Sequence, residues 1–142
     1  MKIRDIMTSP AISISPNESV EVAARTLTHY NVGALPVCGS DGKICGLVTD
    51  RDLVTRCMAS NRAPGQTTVR DVMTGQVMSV QPDMEIDAAA RLMGKQQIRR
   101  LPVTQNGKLC GMVSLGDIAT KQENLADTAG VLADVSSNIS HR

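Results

Sequence analysis

The chain contains one pattern twice, and the two copies stay in register over most of its length. Arg4-Asp5-Ile6-Met7-Thr8 returns as Arg70-Asp71-Val72-Met73-Thr74, 66 positions later. After a one-residue deletion the spacing becomes 65, and residues 42–49 return as residues 107–114. Chance does not keep register over such a length, so the sequence consists of two copies of one supersecondary unit. A unit this short buries a core with difficulty alone, whereas two packed together can do so. We therefore expect a ligand in the cleft between the copies.

Composition limits the possible classes of function. The 142 residues suit one compact domain built from both copies, and 42% of them are apolar. The core must be aliphatic, because there is no Phe, no Trp and a single Tyr. The lack of aromatic residues disfavours binding of single-stranded nucleic acid, and a net charge of +1 offers no basic field for a phosphate backbone. No apolar run approaches the length of a membrane span, and the first residues do not resemble a signal peptide. We therefore expect a cytoplasmic protein whose partners include neither nucleic acid nor membrane.

The residues that catalysis or metal binding would need are missing or isolated. The sequence has neither G-x-x-x-x-G-K-[ST] nor a strand–G-x-G-x-x-G–helix pattern. His29 and His141 have no companion at a useful spacing for a metal or a nucleophile. None of the cysteines forms a C-x-x-C pair, and buried free thiols are favoured over a disulfide or a metal site: Cys38, Cys45, Cys57 and Cys110. We predict no catalytic residue, no metal site and no catalytic cofactor.

Each copy predicts the element order β-α-β-β-α after a short opening turn of helix. Apolar residues recur at helical spacing in the long helices, which are expected to begin near Asn17 and Asp83. Hairpin turns such as Ser40-Asp41-Gly42 separate pairs of strands. The expected strands span residues 11–14, 34–38, 44–49, 77–80, 100–104 and 109–114, and the closing helices span 50–58 and 115–122. The predicted fold class is α+β, with two tandem β-α-β-β-α units packed with pseudo-two-fold symmetry.

The repeat also predicts the domain organisation. Residues 1–58 form the first unit, 59–68 the linker, 69–122 the second unit and 123–142 a C-terminal tail. The tail contains small apolar residues that suit a weak helix docked on the body or on a second subunit. A frayed tail is an equal alternative, because Gly130 and a polar end follow.

Taken together, the motifs resemble those of a known family. A D-I-M-T opening, an A-A-R helix, a V-G-A-L-P-V or I-R-R-L-P-V strand and a G-h-h-[ST]-x-x-D ending, where h is apolar, occur in order in both copies. This pattern resembles the CBS (cystathionine-beta-synthase) domain pair, or Bateman module, of the short stand-alone bacterial type. The resemblance covers Lys2 to about Lys121. It implies a flat, disk-like homodimer with the long helices at its interface, and Val20, Ala24, Leu27, Ile86, Ala90 and Met93 are the residues expected to supply apolar surface there.

The G-h-h-[ST]-x-x-D ending carries the chemistry that points to a nucleotide. Thr49 presents a hydroxyl where a strand meets a helix, a place that attracts phosphate. Asp52 follows one helical turn later, and its carboxylate suits the two hydroxyls of a ribose. Ser114 and Asp117 repeat the arrangement. N-capping by Thr49 and Ser114 is the structural alternative, and we weigh ligand contact above it because capping alone does not require Asp at the same place in both copies.

The resemblance also implies how two pockets are lined. In the family, the segment before L-P-V in one copy faces the phosphate of the nucleotide held by the other copy. Arg99 and Arg100 would then bind phosphate in the first pocket, unless they form a solvated surface pair, whereas the second pocket has no equivalent arginine. The first predicted pocket comprises Leu47, Thr49, Arg51, Asp52, Ile98, Arg99 and Arg100. The second comprises Thr8, Ala11, Val32, Gly33, Ala34, Met112, Ser114 and Asp117.

The leading functional hypothesis is a non-catalytic regulatory module. It binds AMP, ADP or ATP in the clefts between its two CBS units and passes occupancy to a regulated protein or to its own dimer by a conformational change. One alternative is a structural or interaction scaffold with unoccupied clefts, and another is a sensor that binds S-adenosylmethionine. A third is a very small enzyme or redox sensor that uses Cys38 and Cys45.

Overall fold

The computed structural model describes residues 1–120, which form two compact units. Ile12–Val77 and Gly107–Leu109 form the unit that we name the first-copy unit. Met1–Ala11, Met78–Asn106 and the residues from 110 to 120 form the second-copy unit. Each unit is named after the sequence copy that supplies its long helix. The expected pseudo-two-fold relation between units stays a prediction.

The first-copy unit consists of a long helix, a hairpin and a second, shorter helical region. Its elements are α1 (Val20–Tyr30), β1 (Ala34–Cys38), β2 (Ile44–Thr49), α2 (Asp50–Asp52), a π-helical segment (Leu53–Met58), a 3-10 turn (Pro64–Gln66) and α3 (Val69–Val72). The two strands are antiparallel, with Ala34 opposite Thr49, and the register shifts after Val37. This hairpin places the end of β2 directly before α2.

The second-copy unit repeats this plan in the residues that the structure describes. Its elements are a 3-10 turn (Ile3–Asp5), α4 (Ile86–Gln96), β3 (Arg100–Gln105), β4 (Lys108–Ser114) and α5 (Leu115–Ala119). The first residues of β4 fall in the stretch that groups with the first-copy unit. The strands β3 and β4 form a two-stranded sheet, as β1 and β2 do. The predicted α+β class is confirmed, and the four hairpin strands begin and end within one residue of the expected positions.

The opening segment of each copy belongs to the unit of the other copy. In the second-copy unit, the backbone N–H of Ile3 donates to the carbonyl of Met84 (2.9 Å). The matching bond of the first-copy unit runs from the N–H of Val69 to the carbonyl of Glu18 (2.8 Å). Ile3 and Val69 occupy equivalent repeat positions and are both fully buried. The compact units therefore differ from the sequence copies in which opening segment they contain.

Both cores are aliphatic, as the composition predicted. The first-copy core contains Ile14, Leu35, Val37, Val48 and Val72, and the second-copy core contains Val80, Met93, Leu101, Val113 and Ile118. Burial of a side chain of this size stabilises the fold by about 1.5–3 kcal/mol. Three or four residues of each long helix face the core at helical spacing, which explains why an amphipathic pattern produced a helix there.

Three local features differ from expectation. The short strands expected at 11–14 and 77–80 are single parallel bridges, Ile14 to Val37 and Val80 to Val103. Helix α1 is capped by Ser19, whose hydroxyl accepts from the N–H of Val22 (3.1 Å), and not by Asn17. The closing helix of the first copy widens into the π-helical segment after Asp52.

None of the helices in residues 1–120 has the length and apolar character needed to cross a membrane. The predicted tail lies outside the described residues.

Candidate functional site

The predicted Thr49–Asp52 pair forms a reciprocal capping box at the start of α2. The N–H of Asp52 donates to the Thr49 hydroxyl (3.1 Å), and the N–H of Thr49 donates to Oδ2 of Asp52 (2.9 Å). The carboxylate is mostly buried, with 13% of the Asp52 side chain exposed. Two backbone donors at a helix start are thereby satisfied, which fixes both side chains in one orientation.

The Ser114–Asp117 pair forms the same box at the start of α5. The N–H of Asp117 donates to the Ser114 hydroxyl (3.0 Å), and the N–H of Ser114 donates to Oδ2 of Asp117 (2.9 Å). The two boxes agree to within 0.1 Å in both hydrogen-bond lengths. The repeat therefore preserves the local geometry of the site as well as its sequence.

The capping boxes give a structural explanation for the aspartate that recurs in both copies. The repeated Asp was taken as a sign of a ligand because N-capping by Thr49 and Ser114 does not need it. The structure shows that the Asp completes each box, so capping does account for its recurrence. In both boxes the Oδ2 atom accepts the backbone bond, and Oδ1 retains its acceptor capacity. A ligand hydroxyl can use that oxygen while the cap stays intact.

In each unit, the backbone just before the first hairpin strand lies beside the strand-to-helix junction. The N–H of Asp50 donates to the carbonyl of Gly33 (3.0 Å), and the N–H of Leu115 donates to the carbonyl of Arg99 (2.6 Å). Within the units, the backbone at Gly33 thus lies beside the Thr49 junction and the backbone at Arg99 beside the Ser114 junction. The predicted pockets combine residues of both units, and that pairing stays a prediction.

The opening segments form the other side of each junction. Thr8 and Met112 exchange two backbone hydrogen bonds (2.8 and 3.0 Å), so two residues of the second predicted pocket are brought together. Leu47 exchanges two such bonds with Thr74, both of 2.9 Å. Thr74 was absent from the predicted pocket, although it is the repeat equivalent of the predicted Thr8.

Glycine permits this close approach of opening and strand. A Cβ atom built on Gly46 would lie 3.0 Å from the carbonyl oxygen of Thr74, and one on Gly111 would lie 2.9 Å from that of Thr8. The Met73 and Met7 side chains crowd the same two positions. Any larger residue would push the opening segment away from the strand that leads to the junction.

Sequence reasoning also missed Arg56. Its Nε lies 3.9 Å from Oδ1 of Asp52, and its Nη1 donates to the carbonyls of Val72 and Met73, both at 3.1 Å. The only sequence signal was the spacing of four residues between Asp52 and Arg56, which is common on solvated helix faces.

The cysteine thiols are free and poorly placed for redox chemistry. Burial raises the pKa of the Cys38 thiol, although a hydrogen bond with Ser13 opposes the shift, and burial also raises the pKa of the Cys110 thiol. Cys57 is buried, and its thiol donates to the carbonyl of Arg62 (3.3 Å). A raised pKa lowers the thiolate fraction and with it the reactivity. Within residues 1–120, no group of three His, Cys, Asp or Glu residues is placed to hold a metal.

The first-copy unit has an apolar groove of about 660 Å³ between α1 and the π-helical segment. Val54 and Met58 line it and are 52% and 71% exposed. Of the residues expected to supply apolar surface for a dimer, Val20, Ala24 and Leu27 line this groove. The expectation was wrong for Ile86, Ala90 and Met93, which are buried in the core of the second-copy unit. The exposed large apolar side chains of this unit are Ile12, Val22, Tyr30, Val32, Val54 and Met58.

A sequence model of the CBS domain matches residues 3–59 and 69–124, one match for each copy. The chain belongs to the CBS domain family. The CBS domain-containing protein YhcV of Bacillus subtilis is 38% identical over 134 residues, which are 94% of each chain. The predicted family is thereby confirmed over both copies.

Two solved structures of CBS proteins contain adenosine compounds. The CBS domain pair of protein MJ0100, in complex with 5'-methylthioadenosine and S-adenosyl-L-methionine, is 29% identical with a TM-score of 0.76. That match covers 84% of this chain and 94% of the other. CBSX2 in complex with AMP is also 29% identical, with a TM-score of 0.75 and coverage of 84% and 93%.

Proposed function

We propose that this CBS domain protein is a non-catalytic regulatory module that binds AMP, ADP or ATP at its two strand-to-helix junctions. The observation that carries the proposal is the pair of matched capping boxes. Each box holds a carboxylate in a fixed orientation and leaves one of its oxygens available to a ligand. Adenosine compounds in two related CBS structures support the ligand class.

The geometry of a junction suits the ribose part of a nucleotide. Oδ1 of Asp52 is the acceptor for a ribose hydroxyl, since Oδ2 is already bonded to the N–H of Thr49. The Thr49 hydroxyl accepts from the backbone, so its own proton remains available for a ligand oxygen. Ser114 and Asp117 offer the same groups. The boxes fix both side chains before a ligand arrives, so binding loses less rotamer entropy.

Phosphate contacts are assigned to Arg99 and Arg100, as the family resemblance suggests for the first pocket. Neither arginine forms an ion pair within residues 1–120. Arg100→Ala should therefore weaken binding of ATP and ADP more than that of adenosine, by about 1.5–3 kcal/mol for each lost charged hydrogen bond. Calorimetry with the three compounds measures this, and an equal loss for all three would contradict the assignment.

The decisive experiment is a binding panel. Calorimetry and thermal shift are measured with AMP, ADP, ATP and S-adenosylmethionine, with GMP as the control. A nucleotide at about a hundredfold its Kd should stabilise the fold by about 2.7 kcal/mol. The double variant Asp52→Asn, Asp117→Asn should lose this effect, while each Asn oxygen still accepts the capping bond. If no adenosine compound binds the parent protein, the scaffold alternative replaces the proposal. Preference for S-adenosylmethionine would instead favour the sensor alternative.

The redox alternative has a separate test. Alanine at both Cys38 and Cys45 should leave nucleotide binding unchanged, because neither thiol belongs to a junction and burial raises the pKa of Cys38. Loss of binding in that variant would contradict the regulatory reading.

We also propose that the protein is a homodimer. The apolar groove of the first-copy unit, with Val54 and Met58 exposed, supports a second copy as its occupant. Val54→Glu with Met58→Glu should then convert the protein to a monomer. Light scattering at high micromolar concentration measures this, and a monomeric parent protein would refute the proposal.

A further inference from the structure

Arg56 connects the Asp52 carboxylate to a separate backbone segment of the first-copy unit. Its Nε lies 3.9 Å from Asp52 Oδ1, and its Nη1 donates to the carbonyls of Val72 and Met73 at 3.1 Å. The guanidinium group carries several donors in one rigid plane. One side chain can therefore contact a carboxylate and two carbonyls at the same time.

The segment that Arg56 holds leads into the other unit. Thr74 follows it and exchanges two backbone hydrogen bonds with Leu47, both of 2.9 Å. The first-copy unit ends at Val77, and the chain enters the second-copy unit at Met78. A change in residues 72–74 therefore lies next to one of the places where the chain passes from one unit to the other.

The helix that carries Arg56 widens at this point. Leu53–Met58 is π-helical, and the N–H of Ala59 donates to the carbonyl of Val54 (2.8 Å), five residues earlier. Turns of this kind are rare, and they occur frequently at functional sites.

Only the first copy has an arginine at this place. The equivalent position of the second copy is Lys121. Lys121 lies outside the described residues, and its ammonium group is a single point charge without the planar fork of a guanidinium.

We propose that Arg56 is a positioning residue that couples ligand occupancy at Asp52 to residues 72–74. This inference rests on the proposed function, because it needs a ribose at Asp52. The capping box already fixes the Asp52 carboxylate, and a ribose bound beside it excludes water from the Asp52–Arg56 pair. The two charges then attract each other more strongly, and the guanidinium holds the carbonyls of Val72 and Met73 more firmly. Coupling is reciprocal, so loss of the link also weakens ligand binding.

The first experiment needs no ligand and measures amide hydrogen exchange at Met73 and Thr74. Their N–H groups donate to Val69 and Leu47, both at 2.9 Å. Arg56→Gln loses two charge-assisted hydrogen bonds to carbonyls and should accelerate this exchange by about tenfold or more. Asp52→Asn loses an ion pair at 3.9 Å and should accelerate it by a smaller factor. Arg56→Lys keeps the charge and the aliphatic stem, and it should accelerate exchange as well. Unchanged exchange in the folded variants overturns the inference.

The matched control is Arg62→Gln. Arg62 forms an ion pair with Asp71 (3.1 Å) in the same unit but does not contact Asp52. It should leave exchange at Met73 and Thr74 as in the parent protein. Acceleration as large as that of Arg56→Gln would show a general effect of lost charge and overturn the assignment.

The second experiment adds AMP at a saturating concentration established by calorimetry. Exchange at Met73 and Thr74 should slow in the parent protein and in Arg62→Gln, and it should not respond in Arg56→Gln or Arg56→Lys. Equal slowing in all of them overturns the coupling although AMP binds. If AMP gives no binding heat with the parent protein, the proposed function and the coupling to AMP both fail, whereas the ligand-free experiment judges the Arg56 link alone.

Discussion

The two strand-to-helix junctions share their capping geometry and differ in what surrounds it. At the first junction, Asp52 is followed by a π-helical segment and has Arg56 near its second oxygen. At the second junction, Leu115 and Ile118 are buried in the core, and Arg99 supplies the adjacent carbonyl. An arginine side chain thus lies near the capping carboxylate of the first junction, and apolar residues anchor the helix of the second.

This comparison separates the features that both units share from those that differ between the junctions. The capping boxes, the glycines beside the openings and the exchanged hydrogen bonds recur in both units, so they belong to the scaffold. The charges around each box differ, because Asp50 and Arg51 correspond to Leu115 and Gly116, so they can set which ligand binds and what the ligand does. Variants at equivalent positions test this division directly.

The largest difference is expected for the two carboxylates. Asp52→Asn should remove most of the roughly 2.7 kcal/mol by which a nucleotide at a hundredfold its Kd stabilises the fold, and Asp117→Asn should remove less. The reason is that Arg99 and Arg100, which are assigned to phosphate, are proposed to line the Asp52 pocket. Thermal shift and calorimetry on the single variants measure this. The opposite order would show that the dominant pocket was assigned to the wrong junction.

Alanine at the two glycines should destabilise both units to a similar extent. Gly46→Ala and Gly111→Ala each place a methyl group against a backbone carbonyl and a methionine side chain, which costs about 1–3 kcal/mol. Urea unfolding gives the free energy of unfolding of each variant. A loss in only one variant would mean that the close approach of opening and strand is not a common scaffold feature.

Removal of the N-cap hydroxyls should have a smaller and equal effect. Thr49→Ala and Ser114→Ala each delete an acceptor for a backbone N–H, which costs about 1 kcal/mol. Thr49→Ser retains the hydroxyl and serves as the control in the same unfolding experiment. If the two alanine variants differ by more than the cap itself contributes, the surrounding charges stabilise one junction and the division proposed above is too simple.

The smallest difference concerns acid. In the second-copy unit, hydrogen bonds from Lys2 hold the pKa of the Glu85 carboxyl below its ordinary value. In the first-copy unit, hydrogen bonds from Thr68 do the same for the pKa of Asp71. Because both folded-state pKa values are lowered, these contacts stabilise the openings above the unfolded-state pKa, and the stabilisation is lost as the pH falls through the folded-state pKa.

Hydrogen exchange can separate the two carboxyls. Glu85→Gln should remove the acid sensitivity of the Ile3 amide, and Asp71→Asn that of the Val69 amide. Protection factors at pH 6 and near pH 3.5 provide the measurement, with each variant serving as the control for the other unit. Loss of both sensitivities in a single variant would mean that the openings do not respond independently.

Much of the fold followed from the repeat and the hydrophobic pattern. Strand alternation and Gly-containing turns predicted the hairpins at Ala34–Thr49 and at 100–114 to within a residue, because local turn chemistry fixes their register. The exchange of the openings did not follow, since equivalent positions such as Ile3 and Val69 remain equivalent whichever unit they join. Pattern alone cannot decide which copy a segment packs against.

The sequence singled out candidate site residues, but it did not predict their contacts. Thr49, Asp52, Ser114 and Asp117 were singled out by their recurrence, and the structure shows that they form capping boxes. Their role in ligand binding stays a prediction. Arg56 was not identified, because its partners at Val72 and Met73 are backbone carbonyls of a distant segment. A carbonyl acceptor leaves no trace in the residue types of the sequence.

The exchanged openings set an order of events during synthesis on the ribosome. Ile12–Val77 is continuous, so nearly all of the first-copy unit has been translated before the second-copy unit can form. Met1–Ala11 is made before its partners, which lie about 70–110 residues downstream, so it waits roughly 4–20 s at the usual rate of chain elongation. This segment therefore leaves the ribosome well before it can fold, and Ile3, fully buried in the finished protein, stays exposed to chaperones and proteases until then.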